Sequence, residues 1–260
     1  MGSDYAFETK SLTFSYDGKT NAVANADLGV RRGRITAVLG ANGCGKSTLF
    51  SLLCRLLKPT SGGIFLDGVP AEKIPRRAFA QEVAIVHQYN TAAEDITVKK
   101  LVSLGRTPYH GLFQPGLSEE DSRQISRAME LSDVTAFADR PVLSLSGGQR
   151  QRVWLAMALA QNTKGLLLDE ITTYLDIYYQ LELMKLIRSL NKTLGITVLM
   201  VLHDLNQAIR YADDCILMKD GAVLSQGPTA DTVTAESVFN VFGVKAKMET
   251  VNGNKLCVFE

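Results

Sequence analysis

Nine residues constrain this chain most: Gly40-Ala41-Asn42-Gly43-Cys44-Gly45-Lys46-Ser47-Thr48. They fit G-x-x-x-x-G-K-[ST] and directly follow the wholly apolar run Ile35 to Leu39. That run predicts a buried strand, and a helix is expected from Lys46 to about Leu57. Strand, glycine loop and helix together are the context in which this pattern cradles the phosphates of a nucleotide. Glycines let backbone N–H groups close around phosphate oxygens at the positive end of the following helix. In such a loop Lys46 neutralises phosphate charge, and Ser47 offers its hydroxyl to Mg2+.

Elsewhere the chain alternates. Leu12 to Tyr16 reads as an edge strand, with Asp27 to Val30 beside it, and Ile64 to Leu66 and Val83 to Val86 read as further strands. Between about Tyr89 and Ala160 the pattern becomes helical, with Ser118-Glu119-Glu120-Asp121 placed like a capping box. Strand and helix then return: Leu166 to Leu168, a long helix from about Ile177 to Leu194, Thr197 to Leu202, a helix from Asp204, and Cys215 to Met218. Asp220-Gly221 and Asn252-Gly253 are predicted hairpin turns. The expected fold is α/β in one folding unit, with an N-terminal antiparallel element and an inserted helical subdomain.

Several residues end predicted strands in chemically useful ways. Leu166-Leu167-Leu168-Asp169-Glu170 is an apolar strand delivering two carboxylates. At the carboxyl end of a strand in an open α/β sheet, Asp169 suits Mg2+ and Glu170 suits the attacking water. Gln88 and His203 each close another apolar run, and a polar residue at a strand end is usually just solvated. If these strands end on the same sheet edge as Lys46 and Asp169, as the family resemblance given below implies, Gln88 can reach Mg2+ and the attacking water, and His203 the γ-phosphate. Tyr16 can stack on a base or simply pack, and residue type alone favours packing. Leu145-Ser146-Gly147-Gly148-Gln149-Arg150-Gln151-Arg152 offers small residues, a hydroxyl and a helix start, which is a second anion site. It lies too far along the chain to belong to the first loop's pocket, and one solution is that it closes on nucleotide held by a second copy.

Composition excludes other classes. A net charge of +1 leaves no basic field for nucleic acid. Cys44, Cys54, Cys215 and Cys257 lack C-x-x-C spacing and read as reduced thiols. The longest apolar runs fall far short of the roughly 18 residues that cross a bilayer, and no signal peptide is read at the N-terminus.

These motifs, in this order, resemble those of the ATPase subunits of ABC transporters along nearly the whole chain. Tyr16 matches the adenine-stacking aromatic, Gly40 to Thr48 Walker A, Gln88 the Q-loop and Ser146 to Gln149 the signature. Leu166 to Glu170 matches Walker B with its catalytic glutamate, Thr173 to Asp176 the D-loop, and His203 the H-loop. A finer resemblance, to importers of ferric siderophore, haem and cobalamin and nearest to the ferric enterobactin type, rests on Asp95 to Val98, Leu104 to Tyr109 with Leu112 and Phe113, Thr172 to Ile177, and Leu202 to Ala208. Two positions depart from the pattern: Ile171 replaces the usual proline, and Tyr179 stands where the importers often carry histidine.

The resemblance implies a catalytic core over 1–88 and 161–230, a helical subdomain over 89–160, and a C-terminal helix and hairpin over 231–260. It also implies ATP and Mg2+, a head-to-tail homodimer, a two-copy transmembrane permease, an extracytoplasmic binding protein, and a place on the cytoplasmic face of the membrane. Ser146 to Gln149 would then act in trans. A docking face for the permease is expected over Arg106 to Phe113, with Arg106 at its polar rim. The alternatives are a non-transport ABC ATPase of iron–sulfur assembly or repair type and an exporter ATPase. No sustained heptads support the repair type.

Overall fold

The protein, a computed structural model, is described over residues 4–111 and 116–260. It divides into two compact units, Met1–Ile74 with Thr197–Glu260, and Pro75–Ile196.

The first unit opens with β1 (Tyr5–Ser15), β2 (Asn21–Arg31), β3 (Ile35–Gly40), α1 (Lys46–Leu53), β4 (Ser61–Leu66) and β5 (Val69–Pro70). Every residue of β3 is buried, which suits a strand covered on both faces. β1 is not an edge strand: it starts at Tyr5 and lies between β2 and β4, antiparallel to both. The pairing with β4 joins residues about 50 to 60 positions apart, so local alternation could not reveal it, and Tyr16 falls just beyond the end of β1. α1 ends at Leu53 instead of near Leu57, because Arg55 turns left-handed (φ 59°).

The second unit contains α2 (Arg76–Glu82), β6 (Val83–Val86), α3 (Val98–Ser103), α4 (Glu119–Leu131), α5 (Gly147–Ala160), β7 (Gly165–Asp169) and α6 (Ile177–Leu194). β6 and β7 pair in parallel, with Val86 opposite Leu168, so the residues after them leave the same end. Capping boxes start α4 (Ser118 with Asp121) and α5 (Ser146 with Gln149). Asp176 caps α6, its Oδ1 accepting from Tyr179 N at 3.4 Å.

Arg106 does not stand at a rim. It is buried, with Nε donating to Asp121 Oδ1 at 2.8 Å, Nη1 to Ala160 O at 2.9 Å, and the guanidinium 3.9 Å from the Tyr109 ring centroid. Tyr109 is half-buried and donates to Gln161 O at 3.0 Å. Arg106 and Tyr109 therefore bind this unit together internally, since a buried guanidinium persists only where its charge is matched. Leu112 and Phe113 lie outside the described residues.

The first unit resumes with β8 (Thr197–Val201), α7 (Leu205–Tyr211), β9 (Asp214–Lys219), β10 (Ala222–Pro228), α8 (Thr229–Thr232), α9 (Ala235–Phe242), β11 (Ala246–Val251) and β12 (Asn254–Phe259). β3 runs parallel to both β8 and β9. The turns Asp220-Gly221 (φ 48° and 81°) and Asn252-Gly253 (φ 50° and 78°) close the β9–β10 and β11–β12 hairpins, with the left-handed pair that two-residue hairpins favour. No helix among the described residues is long and apolar enough to cross a membrane.

Candidate functional site

In the first unit the glycine loop joins β3 to α1. Asn42 and Gly43 are exposed, whereas Cys44 is buried, and burial pushes its thiol pKa up. Gly45 caps α1 with φ 103°, and a Cβ there would lie 2.3 Å from Ala22 O, so only glycine fits. The β9–β10 turn braces the loop, Gly221 N donating to Cys44 O at 3.0 Å. Lys46 is buried, and its Nζ donates to Gly40 O at 2.8 Å and Ala41 O at 3.0 Å. Its ammonium is thus held over the loop. Ser47 is exposed at the second position of α1, and the first turn of α1 carries no acidic residue to oppose an anion.

Tyr16 is 69% exposed, packs edge-on against Phe14 with centroids 4.8 Å apart, and shares a 3.3 Å hydrogen bond with the buried Thr48. His203 is exposed between β8 and α7, just before Asp204, which caps α7 through Asn206 N (2.7 Å) and Gln207 N (3.2 Å).

In the second unit the structure brings Gln88 and Glu170 together: Gln88 Nε2 donates to Glu170 Oε2 at 2.7 Å. Asp169 ends β7, half-buried. Glu170 follows with a left-handed backbone (φ 47°), and Thr173 N donates to Glu170 O at 3.0 Å to close a turn. Ile171 takes the second place of that turn, a position proline also suits, and its side chain is buried.

The Ser146 hydroxyl accepts from Gln149 N at 3.3 Å, and Gln149 Oε1 accepts from Ser146 N at 3.0 Å. Ser146 and Gly147 are exposed at the N-terminus of a helix of 14 residues, with no acidic residue in its first turn. Gly148 is buried against Tyr179, whose Cδ1 would lie 2.5 Å from an added Cβ. The departure at Tyr179 therefore sits directly behind the glycine pair. Sequence reasoning missed Tyr89 and Tyr174, whose hydroxyls lie 2.9 Å apart. The available signal was one tyrosine three residues past the end of β6 and another five past the end of β7.

The description of the ABC transporter family matches residues 23–173. The petrobactin import ATP-binding protein FpuD of Bacillus anthracis is 44% identical over 255 residues, 97% of this chain and 93% of that protein. The ferric enterobactin transport ATP-binding protein FepC of Escherichia coli (strain K12) is 41% identical over 251 residues, 96% of this chain and 92% of its own. Among solved structures, the dimeric structure of MJ0796, described as a bacterial ABC transporter cassette, superposes with a TM-score of 0.75 at 29% identity, covering 86% of this chain and 98% of that one. The chain belongs to the ABC transporter family and is one of its ATPases.

Proposed function

We propose that this chain is the ATP-hydrolysing subunit of an importer for a ferric siderophore or a related metal chelate. In this reading it lies peripherally on the cytoplasmic face of the membrane, beneath a two-copy permease supplied by another chain. An extracytoplasmic binding protein delivers the chelate.

Two copies meet head to tail, and each ATP lies between Asn42 to Thr48 of one copy and Ser146 to Gln149 of the other. Each half of that arrangement has a physical basis, because each segment opens a helix and presents backbone N–H groups at its positive end. Lys46 neutralises the β- and γ-phosphates, Tyr16 stacks on adenine, and His203 contacts the γ-phosphate. Asp176, in the loop before α6, lies at the contact between copies.

A hydroxyl and a carboxylate suit Mg2+, which prefers oxygen and is held by one or two protein groups plus substrate phosphates. In this reading the exposed Ser47 hydroxyl, the Asp169 carboxylate at the end of β7 and the Gln88 side chain would hold it. The bound ion would neutralise charge developing on the phosphates. Glu170 orients the attacking water and takes its proton.

The observation that carries the cargo assignment is the likeness, over nearly the whole chain, to ATP-binding subunits of petrobactin and ferric enterobactin transport. A strain lacking this gene should lose uptake of radiolabelled ferric siderophore and keep uptake of simple ferrous iron. Normal siderophore uptake with lost haem or cobalamin uptake would reassign the cargo. Unimpaired uptake of all three, with no redundant transporter, would end the importer reading.

A further inference from the structure

We propose that Tyr89 and Tyr174 are positioning residues for hydrolysis, their paired hydroxyls stapling the turn that begins at Glu170 to the segment that carries Gln88. The inference rests on the reading of Glu170 given above.

The two segments leave adjacent parallel strands, β6 and β7, at the same end. They are cross-linked twice in succession: Gln88 Nε2 to Glu170 Oε2 at 2.7 Å, and Tyr89 Oη to Tyr174 Oη at 2.9 Å. The two tyrosine rings lean together, with centroids 6.2 Å apart. Glu170 (φ 47°) and Tyr174 (φ 66°) are both left-handed, so the segment between them is bounded at each end by a backbone shape that side chains disfavour. Such shapes persist only where their surroundings hold them.

One cross-link reaches each strained end. At the far end a backbone bond from Leu175 N to Thr172 O at 3.3 Å closes around Tyr174, but no side-chain tie from Gln88 reaches it. The hydroxyl pair supplies the second anchor, so the Glu170 carboxylate is aimed by a turn fixed at both ends. Tyr89 and Tyr174 are 69% and 80% exposed, so neither ring fills the core.

The test compares wild type, Tyr89→Phe, Tyr174→Phe, the double variant and Glu170→Gln, measuring kcat and KM for ATP with thermal stability. Each single tyrosine variant should lower kcat about threefold to tenfold, the span that one net hydrogen bond supports, with KM and Tm unchanged. The double variant should be no worse than either single, because the hydroxyls act as one unit. A purely structural pair would instead move Tm, with kcat unchanged. Wild-type turnover in Glu170→Gln would overturn the reading of Glu170 and the staple with it. An inactive Glu170→Gln beside tyrosine variants of normal kcat would overturn the staple alone. So would additive losses in the double variant, or a loss confined to Tyr174→Phe.

Discussion

The Gln88 side-chain amide donates to the Glu170 carboxylate at 2.7 Å, tying the residues that follow two neighbouring parallel strands. A group that accepts so short a bond is fixed in direction, as a residue aiming a water must be. Glu170→Gln keeps the shape and removes the base, so hydrolysis should fall about a hundredfold or more. ATP should then stay bound and two copies should remain together in gel filtration. A monomer at saturating ATP would sink the sandwich arrangement for the isolated subunit.

Lys46→Ala should weaken ATP binding while leaving the fold intact. Hydrogen bonds to charged groups contribute about 1.5–3 kcal/mol, so the loss should be on the order of ten- to a hundredfold in Kd, read by calorimetry. The ammonium is already placed, held by Gly40 O and Ala41 O, so little ordering is needed when phosphate arrives. An unchanged Kd would mean that the loop's backbone N–H groups carry the binding alone.

Gly148→Ala should cost about 1–3 kcal/mol, the usual range for overpacking. The obstacle is the Tyr179 side chain, with Cδ1 2.5 Å, Cγ 2.6 Å and Cβ 3.1 Å from the added carbon, and the Cβ stays in place in every rotamer. Urea titration of Gly148→Ala alone and with Tyr179→Ala tests the cause. The alanine should cost clearly less in the Tyr179→Ala background, and an equal cost in both would exonerate the ring.

Asp121 should give the second unit an acid-sensitive contribution to stability. Burial pushes its carboxyl pKa up, but hydrogen bonds from Ser118, Arg106 and His110 outweigh this and hold it well below the ordinary value. A carboxyl lowered in the native state stabilises fully above its unfolded pKa of about 4, and that contribution fades as pH falls towards the native value. The stability gap between wild type and Asp121→Asn should therefore be flat from pH 7 to about 5 and narrow below about 4. A gap constant down to pH 2 would contradict this.

What could be read from the sequence was local. The nine-residue loop, the Asp220-Gly221 turn and the helix starting near Ile177 each depend on backbone chemistry within a few residues, and each stands where the pattern puts it. What escaped depends on partners distant in the chain. β1 became interior through β4, and Arg106 was drawn inside by Asp121 and the Ala160 carbonyl, so a segment that looked like a surface rim is a buried ion pair. α2 is short and mostly polar, with Phe79 its one buried residue, and shows too little periodicity to announce itself. The Tyr89–Tyr174 pair needs β6 and β7 side by side, which neither tyrosine's neighbours encode.

The fit of Gly45 against Ala22, and the bond from Gly221 to the Cys44 carbonyl, carry a consequence for how portable the glycine loop is. Its curve is a mould cast by two segments about 20 and 180 positions away. Residues 35–53 cut out as a peptide, or spliced into a foreign sheet, would keep every letter of the motif and lose the walls that shape it. Conversely, an insertion in the β9–β10 turn could retune nucleotide affinity without altering any residue that touches nucleotide. An engineer seeking weaker or tighter ATP binding would find a dial at Gly221 as well as at Lys46.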